Sequence, residues 1–237
     1  PVVPCLDLYG AAGQDPRYGD AVPQAEALYV RGAWAGRHLS RCSDLLLLGE
    51  CVPGGTTTAL CVLRGFGYAA RVSSSYISNP VGLKEEVCRA VLEKIAALPR
   101  ADPLAIVRCG GDPMMAVAAG IASTYAGDLV LAGGTQMLAV AALIRALGMD
   151  VPPIVTTVYV RDDPSASFAE TAAEVGATAY YVDPQFGDLG HAGLARYCIG
   201  EVKEGIGAGG AMMLAYLRGH SPERIRSTIL DRARGYA

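Results

Sequence analysis

The chain has 237 residues, of which 51% are hydrophobic and 18% are charged, with 20 Lys and Arg against 23 Asp and Glu. This length and composition suit one α/β domain with a large apolar core. The charges are nearly balanced and form no Lys/Arg-rich block, which argues against nucleic acid and anionic membranes as partners, since both attract clustered positive charge. No apolar run is long enough to span a membrane.

The cysteines and histidines give no sign of a metal site. The seven cysteines lie singly, without a CxxC pair, which predicts reduced, mostly buried thiols in a cytoplasmic protein. The three histidines, His38, His191 and His220, are too dispersed for a metal cluster, so neither a metal nor another cofactor is expected. The start lacks an initiator methionine and a signal-peptide pattern, which suggests that the chain begins partway through a longer precursor.

The first half of the chain predicts strands alternating with helices. Residues 1–24 are rich in Pro and Gly and predict an extended strand followed by an irregular loop, and a helix follows over about 24–32. The stretch Leu45–Leu60, LLLLGECVPGGTTTAL, predicts a strand, an anion-binding loop and a helix. A short strand at Tyr68–Ser73 then leads through the polar loop SSSYISNP into an amphipathic helix, Val81–Leu98, which would cover one sheet face.

The second half continues this alternation. Leu104–Arg108 fits either a helix opened by Asp102 and Pro103 or a strand, and Pro113 opens another helix. The helix predicted at Thr135–Leu147 is so apolar that its own sheet and neighbours, or a second subunit, must cover it. The remaining predicted strands are Asp128–Ala132, Ile154–Val160 and Ala179–Val182, and the remaining helices run from Asp163 to about Val175, from Ala211 to Leu217 and after Ser221.

This order of elements predicts a parallel sheet with helices on both faces and a site at the carboxyl ends of the strands. We expect one main domain over residues 1–237, with about 1–43 and 211–237 forming a peripheral, partly helical subdomain.

Two nucleotide motifs can be excluded. The loop at Gly49–Thr57 lacks the lysine with which a P-loop meets the β and γ phosphates, which argues against ATP or GTP hydrolysis. GIGAGG at Gly205–Gly210 matches GxGxxG, but no clear strand precedes it and too little chain follows for a dinucleotide-binding unit.

Several glycine-rich turns remain, each at a strand end or a helix start: GECVPGGTTT, SSSYISNP, CGGDPMM, LAGGTQM and KEGIGAGG. Glycines permit close backbone approach, and the free N–H groups of helix starts bind phosphate without a metal. A single such loop would favour tight helix packing instead. Several at one predicted sheet edge favour a phosphorylated small ligand.

These motifs, in this order, resemble the archaeal and cyanobacterial family related to nicotinate-nucleotide:dimethylbenzimidazole phosphoribosyltransferase, the bacterial enzyme that builds the lower ligand of cobalamin. The resemblance runs from about Pro4 to the final helices. It implies a Rossmann-like three-layer domain with a mostly parallel sheet, a small helical subdomain and a homodimer. The implied reaction transfers the 5-phosphoribosyl group of nicotinate mononucleotide to an aromatic base such as dimethylbenzimidazole.

The resemblance also implies roles for individual residues. Glu204 matches the general base, in a turn with Gly205 and Gly207; the alternative is a solvated acid beside Lys203 or at a helix start. Glu50 would bind ribose hydroxyls or brace its loop, and Lys84 would neutralise the phosphate, unless it is a surface charge. The other implied substrate-binding positions are the phosphate loop Gly54, Gly55, Thr56 and Thr57, the ribose-side Gly110, Gly111 and Asp112, and the nucleotide donors Gly134, Thr135 and Gln136.

The chain departs from the family in two respects. Gly133 stands where the bacterial relatives carry an aspartate, so stabilisation of a ribose cation must come from elsewhere. The N-terminal region that helps to wall the bacterial benzimidazole pocket is absent or shortened. The alternatives to the implied reaction are therefore a catalytically inactive nucleotide-binding or sensing module, and an enzyme that uses a different base or sugar.

Overall fold

The computed structural model describes residues 4–98, 102–201 and 207–235. Its centre is a sheet of four parallel strands, β1 (Leu45–Gly49), β2 (Asp128–Ala132), β3 (Ile154–Thr157) and β4 (Ala179–Val182), in the order β1-β2-β3-β4. β1 and β2 pair along their whole length, from Leu45 beside Asp128 to Gly49 beside Ala132. The predicted parallel α/β sheet is confirmed.

Eleven helices surround the sheet in the described part of the chain: α1 (Ala25–Leu39), α2 (Gly55–Gly65), α3 (Val81–Ala96), α4 (Pro103–Gly110), α5 (Pro113–Ala122), α6 (Thr135–Ala146), α7 (Val158–Arg161), α8 (Phe168–Val175), α9 (Ala192–Ala195), α10 (Ala208–Leu217) and α11 (Pro222–Arg234). Short 3₁₀ turns lie at Phe186–Leu189 and Arg196–Ile199.

Local capping explains where three of these helices begin. Asp102, Asp112 and Ser221 each precede a proline, and each side chain accepts a hydrogen bond from a first-turn N–H group. Proline fits the first helical position, where no N–H donor is needed. The segment that fitted either a helix or a strand is therefore helical, as α4.

Helices cover both faces of the sheet. One face carries the main core, in which α2, α5, α6 and α8 pack over Leu131 and Ile154. Every residue of α6 from Met137 to Ile144 is buried within this single chain, so no second subunit is needed to cover it. Right-handed crossovers between successive neighbouring strands put the connecting helices on one face. The opposite face is left for α10 and α11, whose Met212 and Ile225 pack on Val155 and Val182.

Glycines allow α1 and α5 to cross with their backbones in contact. A Cβ atom added to Gly120 would lie 2.1 Å from the carbonyl oxygen of Tyr29, and one added to Gly32 would lie 2.3 Å from that of Val117. Both distances are too short for any side chain, so the crossing requires glycine on both helices.

The predicted strand at Tyr68–Ser73 is wrong. This segment is not part of the sheet, because its backbone bonds to other groups: the Arg71 N–H donates to Ser167 Oγ, the Val72 carbonyl accepts from Asn79, and the Ser73 carbonyl accepts from Lys84. Residues 4–24 likewise contain no strand.

Four further expectations need correction. The predicted strand Ile154–Val160 is shorter, since β3 ends at Thr157, where α7 follows. The helix predicted from Asp163 begins only at Phe168, as α8, because Asp163 Oδ1 accepts from the N–H and hydroxyl of Ser165 in a separate turn. α3 packs against α2 and α4 rather than on the sheet. The thiols are not mostly buried, since Cys5, Cys42, Cys51 and Cys198 are exposed.

None of the described helices has the length and apolar character needed to cross a membrane.

Candidate active site

A small polar cleft lies at the carboxyl ends of β1 and β2, where α2 and α6 begin. We call it the inner cleft. Its volume is about 50 Å³, and its lining residues are Glu50, Thr56, Ser73, Ser74, Ser75, Gly134, Thr135, Gln136 and Val160. The glycine-rich turns after β1 and β2 and the loop SSSYISNP therefore meet at one edge of the sheet, as the parallel topology predicts.

Glu50 is the carboxylate of the inner cleft. It directly follows β1 and is only 8% exposed, and its Oε2 accepts a hydrogen bond of 2.8 Å from the Val52 N–H. Burial raises the pKa of Glu50; the Val52 N–H opposes this shift and the nearby Asp112 carboxyl adds to it. A carboxyl group held in this way can accept hydrogen bonds from ligand hydroxyls or exchange a proton.

The start of α6 forms the opposite wall. The hydroxyl oxygens of Thr135 and Ser73, both buried, lie 3.0 Å apart and fix the polar loop to the helix. Gln136 lies against the start of α2, since a Cβ atom added to Gly55 would be 2.7 Å from its Nε2. Gly55 therefore provides the space in which the Gln136 amide faces the cleft.

A larger cleft, which we call the outer cleft, continues from the inner one and has a volume of about 670 Å³. The two share Thr56, Ser74 and Ser75. The outer cleft is lined in addition by Pro53, Gly54, Thr57, Tyr76, Pro80, Leu83, Lys84, Gly193, Arg196, Tyr197 and Glu201. Volumes of this size are typical of small-molecule sites.

The first turn of α2 and Lys84 both contribute to the lining of this outer cleft. Gly54 adopts φ 73°, a left-handed conformation that favours glycine, and α2 starts directly after it. The first amides of a helix attract anions. In α2 the Gly55 and Thr57 amides donate to the Val52 and Gly54 carbonyls, which leaves the Thr56 amide without an acceptor among the described residues. Lys84 is 4% exposed, and its Nζ donates to the Ser73 carbonyl at 2.7 Å and to Asn79 Oδ1 at 2.8 Å. Lys84 is thus a buried cation and not a surface charge.

Five of the predicted site residues that the structure describes line neither cleft: Gly55, Gly110, Gly111, Asp112 and Gly207. Gly110 and Gly111 lie at the end of α4, where added Cβ atoms would be 2.4 Å from Val91 Cγ1 and 2.7 Å from Val107 Cγ1. These two glycines therefore serve helix packing in the structure. Asp112 lies behind α2, 4% exposed.

Asp112 links the starts of two helices. Its Oδ1 accepts from the Met115 N–H at 3.2 Å and caps α5, while its Oδ2 lies 2.9 Å from Thr58 Oγ1 in the first turn of α2. Burial raises the pKa of Asp112, and its hydrogen bonds oppose that shift. Sequence reasoning missed Thr58; the available signal was that three successive threonines at a helix start cannot all face solvent.

Gly133 and Gly207 bring further backbone to this edge. A Cβ atom added to Gly133 would be 2.9 Å from Met137 Cγ and 3.8 Å from Glu50 Oε1, so Glu50 already supplies a carboxyl group beside the position where the resemblance expects an aspartate. A Cβ added to Gly207 would lie 2.9 Å from Ala132 Cβ and 3.3 Å from Gly49 Cα. Gly207 therefore packs on the ends of β1 and β2.

Glu204 and Gly205 lie outside the described residues. The nearest described residues on either side are Glu201, which lines the outer cleft, and Gly207, which packs on the strand ends.

Comparison with known proteins identifies relatives and fold neighbours. No protein-family model matches the chain. Solved structures with a similar fold include CobT from Thermus thermophilus, with a TM-score of 0.59 and 20% identity over 72% of this chain and 53% of that one. A nicotinate-nucleotide-dimethylbenzimidazole phosphoribosyltransferase structure from the same organism gives a TM-score of 0.55 and 21% identity over 72% and 52% of the two chains. The chain thus spans about half the length of these proteins and shares their fold.

Sequence relatives are closer. The UPF0284 protein of Thermococcus onnurineus is 45% identical over 231 residues, which are 95% of this chain and 69% of the relative. Those of Thermococcus gammatolerans and Methanothermobacter thermautotrophicus are 44% and 43% identical, and each match covers 97% of this chain and 71% or 67% of the relative. The chain belongs to the UPF0284 family.

Proposed function

We propose that the protein transfers the 5-phosphoribosyl group of nicotinate mononucleotide to a benzimidazole base, which gives α-ribazole 5′-phosphate and nicotinate. The main support is the continuity of the two clefts, which joins an anion-binding helix start and a buried lysine to a hydroxyl-rich recess at the strand ends. The CobT-like fold agrees with this proposal.

The phosphate would bind in the outer cleft. The Thr56 amide at the start of α2 supplies an oriented donor, since the Gly55 and Thr57 amides already donate to the Val52 and Gly54 carbonyls, and Lys84 adds a positive charge to the lining of the same cleft. The Gly54 turn leaves the approach open, since nothing lies within 4 Å of a Cβ atom added there.

The ribose would place its hydroxyl edge in the inner cleft. Glu50 can accept hydrogen bonds there, and Ser73, Thr135 and Gln136 can donate or accept them. About 50 Å³ admits only a few atoms, so the remainder of the nucleotide would extend into the outer cleft.

The chemistry is a displacement at the anomeric carbon. A benzimidazole nitrogen forms the new bond to C1′ as the bond to the nicotinate nitrogen breaks, the electron pair leaves with nicotinate, and the configuration inverts. The second benzimidazole nitrogen then loses its proton, and we assign Glu204 as the acceptor. Positive charge that develops on the ribose in the transition state would be stabilised by the Glu50 carboxyl group when it is ionised.

The test is to incubate the folded full-length protein with nicotinate mononucleotide and 5,6-dimethylbenzimidazole and to measure nicotinate release. Glu204→Gln should retain nucleotide binding and lose roughly 100- to 10,000-fold in rate, the range for loss of a general base. Glu223→Gln, on exposed α11, is the matched control and should keep the rate. Absence of nicotinate release refutes the proposal, and calorimetric binding of the nucleotide without product would instead support a nucleotide-binding module.

A further inference from the structure

A third cavity of about 400 Å³ adjoins the outer cleft, and no group of the nucleotide is assigned to it in the proposed reaction. It is lined by Ile77, Asn79, Tyr159, Asp162, Asp163, Pro164, Ser165, Tyr197, Cys198, Ile199 and Gly200, and we call it the aromatic chamber. Tyr197 lines both this chamber and the outer cleft. The loop from Ser73 to Pro80 borders all three cavities, so they surround a single segment.

Fixed aromatic rings form one wall of the chamber. The centroids of the Tyr159 and Tyr197 rings are 6.2 Å apart, and Phe186 packs edge-on against Tyr197 at 5.0 Å. The Tyr159 hydroxyl lies 3.3 Å from Cys198 Sγ and accepts from the Phe186 N–H at 3.2 Å. These contacts hold the ring faces in place before any ligand arrives, which lowers the entropic cost of binding.

The polar side chains around the chamber bond mainly to one another. Asn79 donates to Ser165 Oγ at 3.0 Å, and Ser165 Oγ donates to Asp163 Oδ1 at 2.8 Å. Asp162 forms a bidentate pair with Arg161 at 2.7 and 2.9 Å. Because these groups already have partners, the chamber offers a ligand chiefly aromatic and aliphatic surface.

The charge of the lining separates the chamber from the outer cleft. No Lys, Arg or His occurs among the described residues that line the chamber, whereas Lys84 and Arg196 line the outer cleft. An anionic ligand would lose hydration in the chamber and gain no cation, so this cavity suits an uncharged ring.

Two aliphatic side chains at the chamber are exposed to solvent. Ile77 is 64% exposed and Ile199 is 63% exposed, and neither lines the outer cleft. A flat ring in the chamber would cover both side chains and gain the free energy of apolar burial.

We propose that the aromatic chamber binds the planar, uncharged heteroaromatic ring of the acceptor base, while the outer cleft binds the anionic nucleotide. This assignment rests on the proposed transferase function. It supplies a base site from within the described chain, built by residues 159–165 and 197–200 and the loop at Ile77.

The experiment replaces two exposed residues of the chamber with tryptophan, so that the larger side chains occupy the cavity. Ile77→Trp and Ile199→Trp change exposed side chains, so the fold should tolerate them, and Leu217→Trp, at a side chain 68% exposed at the end of α10, is the control. Calorimetry measures 5,6-dimethylbenzimidazole and nicotinate mononucleotide separately. Both chamber variants should weaken base binding at least about tenfold. The same variants should bind the nucleotide within about twofold of the wild-type affinity, and the control variant should change neither the base affinity nor the nucleotide affinity.

The outcomes separate this inference from the function on which it rests. Failure of the folded wild-type protein to bind the base, or base affinity that is unchanged or higher in both chamber variants, overturns the chamber assignment. If nicotinate is released and Ile199→Trp leaves the KM for the base unchanged, the chamber is refuted and the transferase stands. If both variants weaken base binding but the wild-type protein releases no nicotinate, the chamber stands and the transferase is refuted.

Discussion

Replacing Thr58 with valine should weaken the attachment of α2 to the rest of the site. Thr58 Oγ1 lies 2.9 Å from Asp112 Oδ2 and 2.9 Å from the Gly55 carbonyl oxygen, so it ties the first turn of α2 to the cap of α5. Valine has nearly the same shape and cannot hydrogen-bond. The substitution therefore removes one polar contact and leaves Asp112 Oδ2 facing a methyl group.

The size of the effect follows from the burial of Asp112. A hydrogen bond to a charged group contributes about 1.5–3 kcal/mol, and a buried acceptor left without a partner costs about 1–3 kcal/mol. Asp112 is only 4% exposed, so water cannot readily replace the hydroxyl. We expect a loss of about 2 kcal/mol in the free energy of unfolding. For a chain of this size, that loss lowers the Tm by about 4–8 °C.

Urea unfolding followed by circular dichroism measures this loss. Thr57→Val is the matched control, because the neighbouring Thr57 hydroxyl has no hydrogen-bond partner among the described residues; it should change stability by less than about 0.5 kcal/mol. Thr58→Ser keeps the hydroxyl and should recover most of the stability. Equal losses for Thr57→Val and Thr58→Val, or a Thr58→Ser variant as unstable as Thr58→Val, would refute the role of this contact.

Three further substitutions test other parts of the structure. Burial raises the pKa of Glu50 above its ordinary 4.5, so its protonation stabilises the fold below about pH 4.5 and this stabilisation is lost as pH rises through the raised pKa. In urea titrations, Glu50→Gln should therefore gain stability relative to wild type as pH rises and then level off; a pH-independent difference contradicts this. Gly120→Ala should lower the free energy of unfolding by about 1–3 kcal/mol through overpacking. The control is Gly82→Ala in α3, where nothing lies within 4 Å of an added Cβ, and it should raise the free energy of unfolding by about 0.4–1 kcal/mol. Similar changes in stability at both sites would disprove the close crossing of α1 and α5. Lys84→Met should weaken nicotinate mononucleotide binding in calorimetry by about tenfold or more, since a charged hydrogen bond is lost; unchanged affinity would place the phosphate elsewhere.

Much of the fold could be predicted because its signals are local. The apolar run Leu45–Leu48, followed by glycines and threonines, predicts a strand, a turn and a helix start, and these are β1 and α2. The Asp-Pro and Ser-Pro pairs predict helix caps because the side chain bonds to amides only two or three residues away. Alternation of strands and helices then leaves a parallel sheet as the arrangement that buries their apolar faces.

The Tyr68–Ser73 segment marks the limit of such local reasoning. Its composition favours a strand, but a strand requires a neighbouring strand in register, and its backbone bonds to Ser167, Asn79 and Lys84 from other parts of the chain. The contact between Lys84 and the Ser73 carbonyl also shows why the sequence left Lys84 open as either a phosphate ligand or a surface charge. Helical periodicity alone does not show that its ammonium group reaches this carbonyl.

By itself, the sequence determined most of the elements and their order, and it predicted the edge of the sheet at which the polar loops meet. Only the tertiary structure decided which residues meet there. Thr58 and Asp112 are 54 positions apart, yet they join two helix starts, and the predicted ribose-side glycines Gly110 and Gly111 pack away from the clefts. Burial and hydrogen bonding depend on distant neighbours, whereas turn and helix preferences depend on adjacent residues, so most of the architecture was predictable and the composition of the clefts only in part.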